Sequence, residues 1–169
     1  MAGEPRSNGV IRVELKRVDL QELLSLDPLI GKATLFNAIG AADTRRLVAA
    51  ATPRRFGPGQ AIYGEGSAGN SLFLVLRGEV ALSRQQGGTS VEIAALQKGE
   101  FFGEDEALGP SSVRSQSAAA SGTTDVAEFS QAHVTSLARK HLELYSLLRE
   151  TRDARAKAKD ELADFLNRW

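Results

Sequence analysis

The chain has 169 residues, 21 Lys+Arg against 21 Asp+Glu, a formal net charge of +0 and no cysteine. The length suits one domain with extensions, and the balanced charge gives no overall pull toward nucleic acid or an anionic membrane surface. The lack of thiols excludes disulfides, thiolate metal sites and cysteine nucleophiles.

The N-terminus, MAGEPRSNGV, carries no apolar run of signal-peptide length, and no segment reaches the ~18 apolar residues of a membrane span. A cytoplasmic protein is expected. Residues 1–32 read as an extension whose first residues form a loose polar tail. Val10 to Val18 alternates apolar and charged residues. It fits a short strand, or the approach to a helix that Asp19 would cap.

Residues 33–132 are expected to form the main domain. Leu35, Phe36 and Ile39 make one apolar stripe and Leu47, Val48 and Ala51 a second. They predict two short helices, the second capped by Asp43 or Thr44 and ended by Pro53. From Arg54 to Phe129 short β-favouring runs alternate with Gly-rich turns. The runs are RRF, QAIY, SLFLVL, EVALSR, SVEIAAL, VRSQSAA and TDVAEF. Such spacing predicts a β sandwich or barrel. Val80 and Leu82 are expected to face inward, and likewise Val91, Ile93 and Ala95.

Residues 133–169 are assigned to a C-terminal helix, since no Gly or Pro occurs from residue 131 onward. Positions 137, 141, 144, 148, 151, 155, 158, 162, 165 and 169 follow a 4-3 spacing, a heptad seam with a polar middle at Thr151 and Arg155. Leu144, Leu148, Leu162, Phe165 and Trp169 are its candidate interface residues. The first half, through Leu148, is expected to pack on the chain's own β domain. The second half is expected to pair with another chain, either a protein partner or a second copy.

Gly64, Gly66 and Gly69 spell a G-x-G-x-x-G pattern. A dinucleotide site would need a helix next, and here the strand-like SLFLVL follows, so a turn is the better reading. His133 and His141 have no supporting cluster of metal ligands, and no metal site is expected. No nucleophile elbow or zinc-protease pattern occurs. The chain is not read as an enzyme.

Three blocks together resemble the cyclic-nucleotide-binding domain family. LFNAIGAADTRRLVAAATPRRF looks like its N-terminal helices running into the first strand. FGPGQAIYGEGSAGNSLFLVLRGEV has its spacing of Phe56, Gly59, Ile62, Gly64, Gly66, Gly78 and Val80. GEFFGEDEALGPSSVRS looks like its phosphate-binding cassette. The resemblance implies an α+β fold: a β jelly roll flanked by short N-terminal helices and a long C-terminal helix. It also implies roles. Gly103 would let the backbone approach a ligand, and Glu104 would accept from a ribose 2'-hydroxyl. Arg114 would pair with a cyclic phosphate, and Ser115 would donate to it. The bacterial catabolite-activator branch shows the same Glu-to-Arg spacing. Base contacts would fall on the C-terminal helix, with Arg155 and Lys159 as candidates.

The cassette also departs from the family pattern. Asp105 and Glu106 stand where an aliphatic and then a small residue are usual, and Gln116 stands where Ala is usual. A carboxylate ~4 Å from the phosphate costs on the order of 1–4 kcal/mol, about ten- to several-hundred-fold in affinity. Glu106 either turns outward, or pairs with Arg114 and fills the anion site from within. The implied function is a stand-alone regulatory adaptor that senses cAMP or cGMP and signals through its C-terminal helix to a protein partner. The alternative is a ligand-independent module for assembly or protein interaction. No cofactor, nucleic-acid partner or membrane partner is expected, and no helix-turn-helix is legible after the long helix.

Overall fold

The computed structural model describes residues 34–168. The segment Val10 to Val18, the helix proposed after Asp19, and Trp169 lie outside the described residues. In chain order the elements are α1 (Thr34–Asn37), α2 (Gly40–Ala50), β1 (Thr52–Phe56), β2 (Ala61–Tyr63), β3 (Leu72–Arg77), β4 (Glu79–Gln86), β5 (Thr89–Gln97) and β6 (Phe101–Phe102). Then come α3 (Glu104–Leu108), β7 (Ser117–Ala120), β8 (Thr124–Phe129), α4 (Gln131–Lys140) and α5 (Leu142–Asn167). The strands form two four-stranded antiparallel sheets, ordered β1-β8-β3-β6 and β2-β7-β4-β5. With helices before and after the strands in sequence, this is the expected β roll.

Strand β3 shows how the layers are built. Its side chains alternate between two faces, and both faces are covered, so its run LFLVL is apolar throughout. Phe73 and Val75 join Val80, Leu82, Phe102 and Val126 between the sheets. Leu72, Leu74 and Leu76 face the other way, toward Leu35, Leu47, Val48, Val134, Leu144 and Leu148 of the helices. Pro53, which ends helix α2, sits in β1 at a sheet edge, where its missing N–H costs no central ladder bond. At Gly78, between β3 and β4, φ is +85° and a Cβ would lie 2.5 Å from the Thr123 carbonyl. Only glycine fits there.

Several local expectations are corrected. Helix α2 starts at Gly40, so Asp43 and Thr44 lie in its first turns and do not cap it. Thr44 donates to the Gly40 carbonyl at 2.6 Å instead, and Asp43 turns to another element. In β5 the register jumps between Leu82↔Ala94 and Ser83↔Glu92, leaving Ile93 as an unpaired extra residue. This bulge flips the phase, so Leu96 is buried and Ala95 is exposed. The run VRSQSAA is a strand only from Ser117; Val113 makes an isolated bridge to Ala68. The C-terminal helix is two helices, broken at His141, whose φ of −120° and ψ of 103° are extended.

The break has a visible anchor. The buried Asp43 carboxylate lies 2.6 Å from His141 Nε2, 2.8 Å from Lys140 Nζ and 3.2 Å from Arg46. Bonds from Lys140 and then His141 hold its carboxyl down at about pKa 2, against the opposing effect of burial. Beyond the break, Leu144 and Leu148 are 1% and 0% exposed within this chain's own core. They therefore face no partner, and the first half of the seam packs in cis. Phe165 is 58% exposed and Leu162 half-buried.

Candidate functional site

The cassette is a short excursion between β6 and β7. Strand β6 runs antiparallel to β3 and delivers the chain to Gly103. Gly103 has φ of +86°, and a Cβ there would sit 2.6 Å from the Ser71 carbonyl and 3.1 Å from an Arg114 nitrogen. Any side chain would therefore push the cassette off β3. The turn leads into α3, whose first three residues are the acids Glu104, Asp105 and Glu106. The chain then returns along the β2–β3 loop. Arg114 is clamped there by two backbone bonds of 2.8 Å, to Ser67 and from Gly66. The glycine-rich loop thus serves as a seat for the arginine, and Gly66 has the positive φ, +83°, that the turn reading of these glycines expected.

Arg114 is 3% exposed. Its guanidinium stacks 4.2 Å above the Tyr63 ring, a favourable cation–π contact. One terminal nitrogen donates to the Ser71 carbonyl at 2.9 Å. The other reaches Glu106 Oε1 at 3.3 Å, and Glu106 is itself 4% exposed. Among the described residues no acceptor bonds the buried Nε. A buried guanidinium with a long ion pair and an idle donor is an incompletely satisfied charge.

The carboxylates show the same imbalance. Burial pushes the Glu106 carboxyl up from its ordinary range, and Arg114 only partly offsets this. Glu104 is likewise pushed up by burial, against the pull of Arg155. Arg155, on α5, donates to Glu104 Oε2 at 2.8 Å and to the Phe101 carbonyl at 2.8 Å. Ser115 Oγ donates to Asp105 at 2.8 Å and lies 3.4 Å from Glu106. The space between Tyr63, Gly103, Ser115, Gln116 and the acids of α3 is a cavity of about 10 Å³. That is at most one water's worth of room.

The five expected site residues Gly103, Glu104, Glu106, Arg114 and Ser115 therefore come together. Their contacts are internal: Glu106 takes Arg114, Arg155 takes Glu104, and Asp105 takes the Ser115 hydroxyl. Of the two orientations open to Glu106, the inward one holds. Arg155, a candidate base contact, ties α5 to the cassette through Glu104 and the Phe101 carbonyl. The Lys159 side chain lies outside the described residues. Tyr63 was not foreseen. A lone Tyr at the end of QAIY carries no sign that an arginine from residue 114 will lie on its ring. Among the described residues no three His, Asp or Glu side chains are grouped to hold a metal ion. No described helix is long and apolar enough to cross a membrane.

Comparison with known proteins agrees with the fold described above. The sequence profile of the "Cyclic nucleotide-binding domain" family matches residues 53–141. A cAMP-dependent protein kinase regulatory subunit of Mycosarcoma maydis is 28% identical over 91 residues, which are 54% of this chain and 17% of that protein. The chain thus corresponds to a minor part of that relative's length. The catabolite activator protein of Thermus thermophilus superposes with a TM-score of 0.67 at 27% identity, over 79% of this chain and 63% of that one. The regulatory subunit of a cAMP-independent protein kinase A from Trypanosoma brucei gives 0.69 at 19% identity, over 81% and 48%. The last likeness is one of fold.

Proposed function

The chain belongs to the cyclic nucleotide-binding domain family, and we propose that it is a non-catalytic regulatory module. In this reading the cassette receives a nucleotide-type ligand at Arg114, and occupancy is passed to α5 through Arg155. The observation that carries it is Arg114: 3% exposed, with one long ion pair and an unpartnered Nε. A side chain serving stability alone would gain by full pairing or by apolar replacement. An arginine held half-satisfied in a cassette of this family is poised to exchange partners. cAMP and cGMP are the first ligands of the class to test.

The route to α5 is short. A ribose hydroxyl that reaches Glu104 competes with Arg155 for the same carboxylate. Losing Arg155 frees α5 beyond Leu148, the last seam residue in the core. Ligand moves the helix only if it binds one helix position more tightly than the other. The open seam residues Leu162 and Phe165, and Trp169 after them, would then meet a protein partner or a second copy. A second reading, a ligand-independent assembly module, is favoured by the Glu106–Arg114 contact and the cavity of about 10 Å³.

Titration calorimetry with cAMP, cGMP, adenosine and guanosine separates the two readings. Binding that Arg114→Ala abolishes, with faster amide exchange in α5 around Arg155 on saturation, supports the sensor. No heat from any of the four, with the protein folded, supports the assembly module.

A further inference from the structure

One segment that the sequence singles out has no place in the regulatory reading. Val10 to Val18 alternates as a strand does, and it lies outside the described residues. We propose that Val10 to Val18 adds to the free edge of β5, extending the β2-β7-β4-β5 sheet by one strand, so that the chain covers this edge with its own N-terminal segment. The pairing does not depend on whether Arg114 takes a ligand.

Strand β5 is the last of its sheet, with β4 as its one neighbouring strand among the described residues. It is nine residues long. Such a strand leaves a row of N–H and C=O groups open along its outer side, which is a template for a further strand. Natural edges are blunted by proline, by lysine or by brevity. The other three edges have such protection: β1 contains Pro53, β2 has three residues and β6 has two. β5, TSVEIAALQ, has neither proline nor lysine and a single charge, Glu92. Its bulge at Ile93 interrupts the edge without closing it. Helix α5 packs beside part of β5, but a helix spends its backbone groups on its own turns and cannot satisfy an edge.

The two faces of β5 match the two faces of the segment. Ala94 and Leu96 pair with Leu82 and Val80, so they face the core between the sheets. Val91 pairs with Arg84, two residues after Leu82, and continues that face past the bulge. Val91 and Ala94 are only half-buried, so apolar surface stands uncovered at the edge. In the segment, Ile11, Val13 and Leu15 share one face. The other face of β5 carries the exposed Glu92. The other face of the segment carries Arg12 and Lys16, on either side of Glu14. Two antiparallel registers set a cation beside Glu92, one with Arg12 and one with Lys16, and both keep the apolar faces together. Opposite charges across strands stabilise such a pair. The lengths agree, since the segment also has nine residues. The fifteen connecting residues, 19–33, span up to about 50 Å, against a radius of gyration of about 14 Å for a domain of this size. The segment therefore reaches β5 from Thr34, at the high effective concentration of a tethered partner.

Amide hydrogen exchange on the full chain tests the pairing. In wild type the β5 amides that point away from β4 are expected to exchange about tenfold more slowly than in a chain lacking residues 2–18, the protection of one net hydrogen bond. Val13→Pro, which removes a ladder donor, is expected to lose the same protection. Glu92→Lys is expected to lose up to about fivefold, and to regain it when Arg12→Glu and Lys16→Glu are added. Thermal unfolding checks that each variant folds. Equal exchange in wild type and the shortened chain overturns the pairing. So does protection that survives Val13→Pro. A loss in Glu92→Lys that the added acids leave unrestored overturns the charge match that selects this segment. Protection that fades on dilution assigns the edge to a second copy and overturns pairing within one chain.

Discussion

Two clusters of buried charge flank α5, one at its start and one near its middle, and they are built in opposite ways. At the break before α5, one carboxylate, Asp43, is served by Lys140, His141 and Arg46. At the cassette, Arg114 is served by one carboxylate at 3.3 Å and left with an idle nitrogen, while the acids around it outnumber the cations. The first cluster draws cations from a solvated rim, and its carboxyl is held low, at about pKa 2. In the second the carboxyls of Glu104 and Glu106 are pushed up. A carboxylate with surplus donors is a pin: it stays ionised and fixes where α4 ends. An arginine with surplus acids and unspent donors is an exchangeable contact. Burial alone does not distinguish the two; the balance of partners does.

Four measurements would break or sharpen this contrast. The largest effect is expected at Arg114. Arg114→Ala leaves Glu106 buried without its counter-ion, a loss of about 3–5 kcal/mol in urea denaturation. A loss under about 1 kcal/mol would mean that Glu106 escapes to solvent and that the cassette is not a sealed charge site. Next comes Arg155→Met, which keeps an apolar stem but drops the guanidinium and with it the bonds to Glu104 and the Phe101 carbonyl. It is expected to cost about 1–3 kcal/mol and to speed amide exchange in α5 after Thr151. Unchanged exchange would show that Arg155 does not latch the helix.

Asp43→Asn should cost less, and its cost should depend on pH. A depressed folded pKa contributes stability that is present above the ordinary aspartate value of about 4. That stability is lost as pH falls toward the folded value of about 2. The gap in unfolding midpoint between wild type and Asp43→Asn should therefore hold near neutral pH and close between about pH 4 and 2. A gap that persists at pH 2 would point to packing rather than charge. The smallest effect on stability is expected from ending the chain after Ala158. The unfolding free energy should move by no more than about 0.5 kcal/mol, since Phe165 beyond that point is 58% exposed. Light scattering on the same protein reports whether the distal seam holds a second copy; an unchanged mass retires self-association through it.

Much of the fold was legible because it follows from local periodicity. The doubly buried β3, the apolar stripes of α1 and α2, and the Gly-rich turns each reflect the burial of their own segment. The cassette was marked by resemblance instead: GEFFGEDEALGPSSVRS looks like the family's phosphate-binding segment, and its glycine, glutamate and arginine took their roles from that likeness. Three features were not legible. The bulge at Ile93 depends on pairing with β4 and leaves SVEIAAL looking evenly alternating. The two-residue β6 is too short to carry a period. The break at His141 lies in a stretch without Gly or Pro and follows from an aspartate almost a hundred positions away, at residue 43.

The linear order of residues by itself determined a domain of short strands and Gly-rich turns, because helix and strand periods are local properties, and its resemblance to a known family marked the cassette and the surplus of acids within it. Only the tertiary structure decided that Glu106 turns inward onto Arg114, that Arg155 claims Glu104, and that Leu144 and Leu148 belong to this chain's own core. Each of those outcomes is a choice among partners brought together from distant parts of the chain. Such a choice depends on which side chains, charged or apolar, end up sharing one buried space.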